Sequence, residues 1–176
     1  MSDDQSARDD QPAALDLIKF GDISAAVGAH PFLQPFSTEQ LDELANCAQV
    51  RDFQPGQLIF KQGDSAAKFY LIISGAVSLS HAGLTGNLPV QYLGSGDALG
   101  WSWLFPPFAW HFNAMTLEPS RILEFDGERI HELCDQRPEF GYLFMSRIAH
   151  VVINRLQNTR QKLFRLTGGG TPHRTQ

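Results

Sequence analysis

The residues best suited to bind a small molecule lie between positions 94 and 116. This segment opens with a Gly-Ser-Gly-Asp pattern, typical of a tight turn, and continues into a short predicted helix. Backbone N–H groups at such a turn can bind an anion. An anion site normally adds a cationic side chain, but the segment holds no Lys or Arg and instead contains three Trp, three Phe and one His. The composition indicates a phosphate site rebuilt as an aromatic pocket.

Seven residues of this segment are candidates for contacting a ligand. Aromatic rings can stack on a base or line a pocket for an apolar ligand, a serine hydroxyl can hydrogen-bond, and an imidazole changes charge near pH ~6.5. The candidates are Gly100, Trp101, Ser102, Trp103, Trp110, His111 and Phe112. The same rings could instead fill the pocket as core, and Arg121 or Arg129 could reach in from further along the chain. The sequence leaves a filled pocket and a ligand-binding pocket both open.

Catalysis is not expected, because no recognisable catalytic or metal-binding pattern is present. The six histidines include no His-x-His pair and no pair with a Glu at ligand spacing. P-loop and Gly-x-Ser-x-Gly motifs are also missing from the sequence. Cys47 and Cys134 are predicted to be free thiols, and two cysteines are too few to hold an iron–sulfur cluster. We therefore expect a non-enzymatic protein with no cofactor and no metal.

The elements that must position this segment are short strands flanked by helices. Between residues 49 and 125, apolar strands recur at roughly ten-residue spacing with Gly-containing turns between them, which predicts eight antiparallel strands in a jelly roll. Ser37 with Gln40 forms a capping box, Asp126 is a good N-cap, and Pro138 suits the start of a long helix. The predicted organisation is a disordered acidic N-terminus (residues 1–12), N-terminal helices (13–46), the jelly roll (47–125), C-terminal helices (126–166) and a disordered tail (167–176).

Three blocks of motif residues are specific in combination. They are Phe53, Pro55, Gly56, Ile59, Gln62, Gly63 and Asp64, then Tyr70, Ile72, Ser74, Gly75 and Val77, then Gly96, Asp97, Leu99 and Gly100. Together they resemble the cyclic-nucleotide-binding domain family, which includes the sensor domains of catabolite activator proteins. The resemblance covers about residues 30–166 and implies a mainly β fold, an antiparallel double-stranded β-helix (jelly-roll barrel) with N-terminal helices and a long C-terminal helix. It also implies a regulatory sensor or adaptor.

The chain departs from this family at its two ligand anchors. The resemblance implies a Glu for the ribose 2′-OH and an Arg for the cyclic phosphate, and these positions hold Trp101 and Trp110. An indole has one N–H donor and no charge, so it can fill neither role. A charge-assisted bond contributes roughly 1.5–3 kcal/mol, so we expect cAMP and cGMP to bind weakly or not at all. The alternative is a small-molecule receptor for a non-nucleotide or a weakly bound cyclic nucleotide.

The last part of the chain points to protein partners. Ile148, Val152, Leu156 and Leu163 recur on one helical stripe, which predicts a homodimer through this helix. We expect the stretch from about Arg155 onward to project past the point where the barrel could cover it, with Arg155 on a flanking polar face. Docking of the stripe back onto the chain's own barrel or N-terminal helices is the alternative. The resemblance, whose bacterial activators dimerise through the same helix, favours the dimer, and contact with another protein is also expected.

Charge and hydropathy limit which other partners and locations are expected. From residue 140 onward the chain has six Lys or Arg and no Asp or Glu, a pattern that suits either nucleic acid or the dipole at the end of a long helix. No helix-turn-helix segment follows that helix, so we expect no direct sequence-specific DNA binding. No apolar run of about 18 residues occurs, and the acidic N-terminus is unlike a signal peptide. We therefore expect no membrane span and a cytoplasmic protein.

Overall fold

The structure, a computed structural model, describes residues 14–83 and 86–166, with side chains from residue 22 onward. The two terminal segments predicted to be disordered, residues 1–12 and 167–176, lie outside the described residues. The elements in chain order are α1 (Ala14–Ala29), α2 (Thr38–Ala45), β1 (Ala48–Phe53), β2 (Leu58–Phe60), β3 (Lys68–Ser74), β4 (Val77–Gly83), β5 (Gly86–Leu93), β6 (Ala98–Leu99), a 3₁₀ helix (Ser102–Leu104), β7 (Asn113–Thr116), β8 (Ser120–Asp126), α3 (Gly127–Gln136) and α4 (Pro138–Leu166).

The eight strands form two antiparallel four-stranded sheets. One sheet has the order β1-β8-β3-β6 and the other β2-β7-β4-β5. Ala48 pairs with Phe125 in the first sheet, and Val77 pairs with both Leu93 and Thr116 in the second. The mainly β prediction with flanking helices is confirmed, and the strands begin and end one residue outside the predicted range. Over the described residues the strands form two separate sheets and no closed barrel.

The turn between β3 and β4 shows why a glycine is needed there. Gly75 has a φ of +96°, and a Cβ at this position would lie 2.2 Å from the Ser120 Oγ. A side chain would therefore clash with the start of β8 as well as strain the backbone. This turn carries the chain from the first sheet to the second.

A cluster of phenylalanines fixes the first half of α4 against the sheets and the N-terminal segment. Phe144 contacts Phe32 and Phe69 edge to face, with ring centroids 5.8 Å and 5.5 Å away. Arg147 of α4 donates from Nε to the Phe32 carbonyl oxygen (2.9 Å), and Ile148 is buried. These contacts direct the second half of α4 past the second sheet, where it borders the candidate site.

Local capping follows the sequence pattern closely. The Ser37 Oγ accepts from the Gln40 N–H and the Gln40 side chain accepts from the Ser37 N–H, as a capping box requires. Asp126 caps α3 through its side chain, and Pro138 is the first residue of α4.

Cys47 and Cys134 are free thiols, and burial raises the pKa of Cys134 to about 11. Among the helices described, none has the length and apolar character needed to cross a membrane.

Candidate functional site: an aromatic cavity beside the C-terminal helix

A cavity of about 320 Å³ lies between the second sheet, the segment after β6 and the second half of α4. Its walls come from parts of the chain that are far apart in sequence. The lining residues are Phe60, Leu79, Val90 and Gln91 from the sheet, Gly100, Trp101, Ser102, Trp110, His111 and Phe112 from the segment between β6 and β7, and Val152, Arg155, Leu156 and Thr159 from α4. Most of these side chains are apolar, and no Asp or Glu occurs among the described residues that line the cavity.

The turn before β6 is fixed by hydrogen bonds to its own side chain and to β3. The Gly94 N–H donates to the Asp97 Oδ2 (2.8 Å), and the Gly96 N–H donates to the Ile72 carbonyl oxygen (2.8 Å). The Ile72 N–H in turn donates to the Asp97 carbonyl oxygen (2.9 Å). The predicted tight turn is therefore present, and it delivers the chain into β6 at the edge of the first sheet.

Gly100 lets the chain leave β6 next to the cavity. Its φ is +82°, and a Cβ there would lie 2.9 Å from Tyr70 Cδ2 and 3.2 Å from Trp110 Cζ3. Only a residue without a side chain fits between these two rings in that conformation. The predicted short helix that follows is a 3₁₀ helix of three residues, Ser102–Leu104.

Trp110 forms the floor of the cavity. It is 5% exposed and stacks on Phe60, with ring centroids 4.0 Å apart and planes 17° apart. Tyr70 lies against the same ring, with centroids 6.2 Å apart. The position at which the resemblance implies a cationic anchor is therefore a buried, neutral aromatic stack.

Trp101 forms a wall that carries a cation from α4. The guanidinium carbon of Arg155 lies 4.3 Å from the centroid of the Trp101 ring, and Arg155 Nη2 donates to the Ala98 carbonyl oxygen. Burial lowers the pKa of Arg155 to about 10, with Asp97 acting in the opposite direction. Since that value lies well above neutrality, Arg155 stays charged and supplies a positive charge to the cavity.

Ser102 and His111 add a polar pair. The Ser102 Oγ lies 3.1 Å from the His111 Nδ1, and His111 is exposed. His111 is therefore hydrogen-bonded beside aromatic residues without being buried in the core. The pair offers a ligand one hydroxyl and one imidazole.

Trp103 lies outside the cavity, unlike the other six candidates. It is 6% exposed and packs against Phe144 and His131, with centroids 6.4 Å and 6.5 Å away. In a three-residue 3₁₀ helix neighbouring side chains point in different directions, so Ser102 lines the cavity while Trp103 is directed into the core beside α3 and α4. Its Nε1 is buried without a hydrogen-bond partner among the described residues.

The cation that reaches the cavity is not one of the two considered from the sequence. Arg121 pairs with Asp52 (3.7 Å), and Arg129 donates to the Asn46 carbonyl oxygen (2.7 Å), so neither lines the cavity. Arg155 directly precedes Leu156 and flanks the predicted apolar stripe of α4. The sequence pattern placed it on a polar face of the helix, and no local signal indicated that it enters the cavity.

The four residues proposed for dimerisation fall into three environments. Ile148 is 2% exposed within the core, Val152 and Leu156 line the cavity, and Leu163 is 56% exposed. The expectation that α4 projects past the sheets from Arg155 onward is wrong for Arg155, Leu156 and Thr159, which border the cavity. Ile148 is therefore unavailable to a partner.

Comparison with known proteins decides the family. Residues 50–137, half of the chain, match the family of the cyclic nucleotide-binding domain. The chain belongs to this family. The match ends before α4, so Arg155 and the helical wall of the cavity lie beyond it.

The relatives and structural neighbours of this domain include bacterial regulators. A CRP-like cAMP-activated global transcriptional regulator of Mycobacterium tuberculosis is 26% identical over 155 residues, which are 87% of this chain and 66% of that protein. The catabolite activator protein of Thermus thermophilus superposes with a TM-score of 0.62 at 26% identity, over 78% of this chain and 63% of that one. A cyclic nucleotide-binding domain from Methylobacillus flagellatus superposes with a TM-score of 0.68 at 16% identity, over 89% and 86% of the two chains, which supports the fold. This chain thus spans 66% of the length of the M. tuberculosis regulator.

Proposed function

We propose that this chain is a non-catalytic regulatory domain that senses a small aromatic or apolar ligand in the cavity, and that it binds cAMP and cGMP weakly or not at all. The observation that carries the proposal is the stack of Trp110 on Phe60 beside a cavity of about 320 Å³. The aromatic residues have replaced the polar anchors without filling the whole pocket. A volume of this size lies at the lower end of the range for small-molecule sites.

The chemistry of the lining supports an apolar ligand over a cyclic nucleotide. A ribose 2′-OH would find no carboxylate among the described lining residues, and the buried Trp110 carries no charge. Phe112 and Leu79 extend the apolar surface on the sheet side. A ligand with a flat apolar body would bury its surface against these walls, whereas a cyclic nucleotide would have to desolvate its sugar and phosphate without full compensation.

A cyclic nucleotide is the second candidate, because one observation favours it. The chain belongs to the family, and the relative from M. tuberculosis is named as cAMP-activated. Arg155 and His111 would then have to supply the contacts to the phosphate. Direct titration with cAMP distinguishes the two candidates and is described at the end of the Discussion.

The proposed ligand class can be tested with 2-naphthamide, an uncharged bicyclic aromatic amide. We expect the indole N–H resonances of Trp101 and Trp110 to shift on titration and that of Trp103 to stay in place, because only the first two line the cavity. Val152→Phe should weaken the binding by narrowing the cavity. The matched control is Ile153→Phe, since Ile153 is the exposed neighbour on α4 and does not line the cavity. Equal shifts of all three indole resonances, or no shift at the solubility limit of 2-naphthamide, would contradict the proposal.

We also propose that the chain forms a homodimer through the second half of α4 and acts on another protein in the cytoplasm. Leu156 and Leu163 lie on the predicted stripe and each keeps about half of its surface exposed, 55% and 56%. An apolar stripe of this kind, with Arg160 and Lys162 on neighbouring positions, suits a partner on one side of the helix. Since Leu156 also lines the cavity, the dimer and the ligand would share a helix.

A further inference from the structure

We infer that Arg155 binds the anionic group of the ligand, so that the cavity takes a planar aromatic monoanion, with an aromatic carboxylate as the simplest case. This inference rests on the proposed function, because it presupposes that the cavity receives a ligand. It adds a charge requirement that the aromatic walls alone do not impose.

Among the described residues, Arg155 is a partly buried cation without a counter-ion. Its guanidinium has five N–H donors; within that part of the chain it donates one hydrogen bond, to the Ala98 carbonyl oxygen, and lies over the face of Trp101. No carboxylate lies within 4.0 Å of it in the described part of the chain. Asp97 acts on the Arg155 charge through space, and its Oδ2 already accepts from the Gly94 N–H. A charge removed from water in this way is costly unless an anion joins it.

Comparison with Arg147, on the same helix, shows that this situation is particular to Arg155. Arg147 also lies over an aromatic ring, 5.5 Å from the centroid of Phe32, but it donates to two carbonyl oxygens, those of Phe32 (2.9 Å) and Pro31 (3.1 Å). Arg147 thus ties α4 to the N-terminal segment, and it is not among the residues that line the aromatic cavity. Arg155 has fewer protein partners and borders the cavity.

The lining determines which anion fits. A guanidinium can hold a carboxylate through two parallel hydrogen bonds, and Ser102 adds one hydroxyl nearby. A phosphate dianion would call for a second fixed cation, and Arg155 is the one Lys or Arg among the described lining residues. The rings of Trp101, Trp110 and Phe112 favour a flat apolar body next to that single charge. A planar monoanion satisfies both requirements.

The test compares 2-naphthoate with 2-naphthamide, which differ in charge and hardly in shape. By calorimetry on the whole chain, we expect naphthoate to bind the wild type at least about tenfold more tightly than naphthamide, as a charge-assisted hydrogen bond would provide. Arg155→Gln should reduce this preference, measured as the ratio of the two affinities within the variant, to within about threefold. Arg160→Gln is the matched control, since Arg160 is exposed on the same helix and lies outside the cavity. This substitution removes the same positive charge as Arg155→Gln.

Each outcome decides a separate point. Equal affinity of the two compounds for the wild type, or a naphthoate preference that survives in Arg155→Gln, would overturn the inference and leave the proposed function standing. Binding of neither compound would overturn the proposed function and the inference with it. If Arg155→Gln does not fold, Arg155→Lys replaces it: the preference should persist at a reduced level because the charge remains, and an unchanged preference would contradict a role for the guanidinium.

Discussion

The guanidinium of Arg155 lies 4.3 Å from the ring centroid of Trp101 and donates a hydrogen bond to the Ala98 carbonyl oxygen. This pair joins the second half of α4 to the segment that follows β6. A ligand that contacts Arg155 therefore contacts the helix that carries the proposed dimer surface, and one that displaces Trp101 disturbs a residue packed against that helix. The contact gives ligand binding a direct physical route to the position of α4.

Replacing Arg155 should cost little stability, in contrast to Arg147. Arg155→Met removes a partly desolvated charge that has a single protein acceptor, so the free energy of unfolding should change by less than about 1 kcal/mol. Arg147→Met removes two charge-assisted hydrogen bonds and should cost about 2 kcal/mol or more. Urea denaturation of both variants measures the difference. A larger loss of unfolding free energy for Arg155→Met than for Arg147→Met would show that Arg155 mainly stabilises the fold.

Gly100→Ala should destabilise the chain more than Gly56→Ala, a substitution that introduces only backbone strain. Gly56 has nearly the same backbone conformation, with a φ of +79°, but a Cβ there would meet nothing within 4 Å. Gly56→Ala should therefore cost about 1 kcal/mol from the left-handed conformation alone. Gly100→Ala adds contacts with Tyr70 at 2.9 Å and the Lys68 carbonyl oxygen at 3.3 Å, and about 2–3 kcal/mol in total is expected. Equal losses in thermal unfolding would refute the close packing described around Gly100.

His30 should make the fold less stable in mild acid. Its Nδ1 accepts from the Phe32 N–H (3.2 Å), so its Nε2 carries the proton and donates to the Ile72 carbonyl oxygen (3.2 Å), which requires the neutral ring. Burial lowers the pKa of His30, and the Ile72 hydrogen bond and Asp97 oppose this only in part. As the pH falls below about 6.5, the unfolded chain binds a proton that the folded chain does not, so stability declines towards the lower folded pKa.

The measurement for His30 is the free energy of unfolding at about pH 7.5 and about pH 5.5. The wild type should lose more stability between these values than His30→Gln does, by at most about 1.4 kcal/mol per pH unit. His150→Gln, an exposed histidine on α4, serves as the control and should behave as the wild type. The same pH dependence in wild type and His30→Gln would rule out this account.

The proposed homodimer should depend on Leu163. Light scattering should give twice the 19.6 kDa chain mass for the wild type, and Leu163→Glu should give a folded monomer because a carboxylate would be buried in the interface. Leu88→Glu is the matched control, since Leu88 is a similarly exposed leucine (60%) on β5. A wild-type monomer at tens of micromolar, or equal dissociation by both variants, would contradict the dimer.

The sequence predicted the fold because its signals are local. Capping at Ser37 and Asp126 and the glycine turns each depend on residues a few positions apart, and together they leave few ways to arrange eight strands. Six of the seven candidates line the cavity, and they were found because all seven share one short segment between β6 and β7.

The rest of the site depends on contacts that no local pattern encodes. The direction of Trp103 is set by its packing against Phe144 and the start of α3. Arg155 enters the cavity because the phenylalanine cluster fixes α4 at one angle to the sheets. The helical stripe was correctly periodic, but periodicity alone does not say whether the partner of a stripe is another chain or the chain's own cavity.

The most direct test of the central claim, that an aromatic cavity has replaced the cyclic phosphate site, is calorimetric titration of the wild-type chain with cAMP. The account predicts a dissociation constant weaker than about 100 µM, because Trp101 and Trp110 provide neither a carboxylate nor a fixed cation. A dissociation constant near 1 µM, equivalent to about −8 kcal/mol, would contradict it and favour a cyclic nucleotide held by Arg155 and His111.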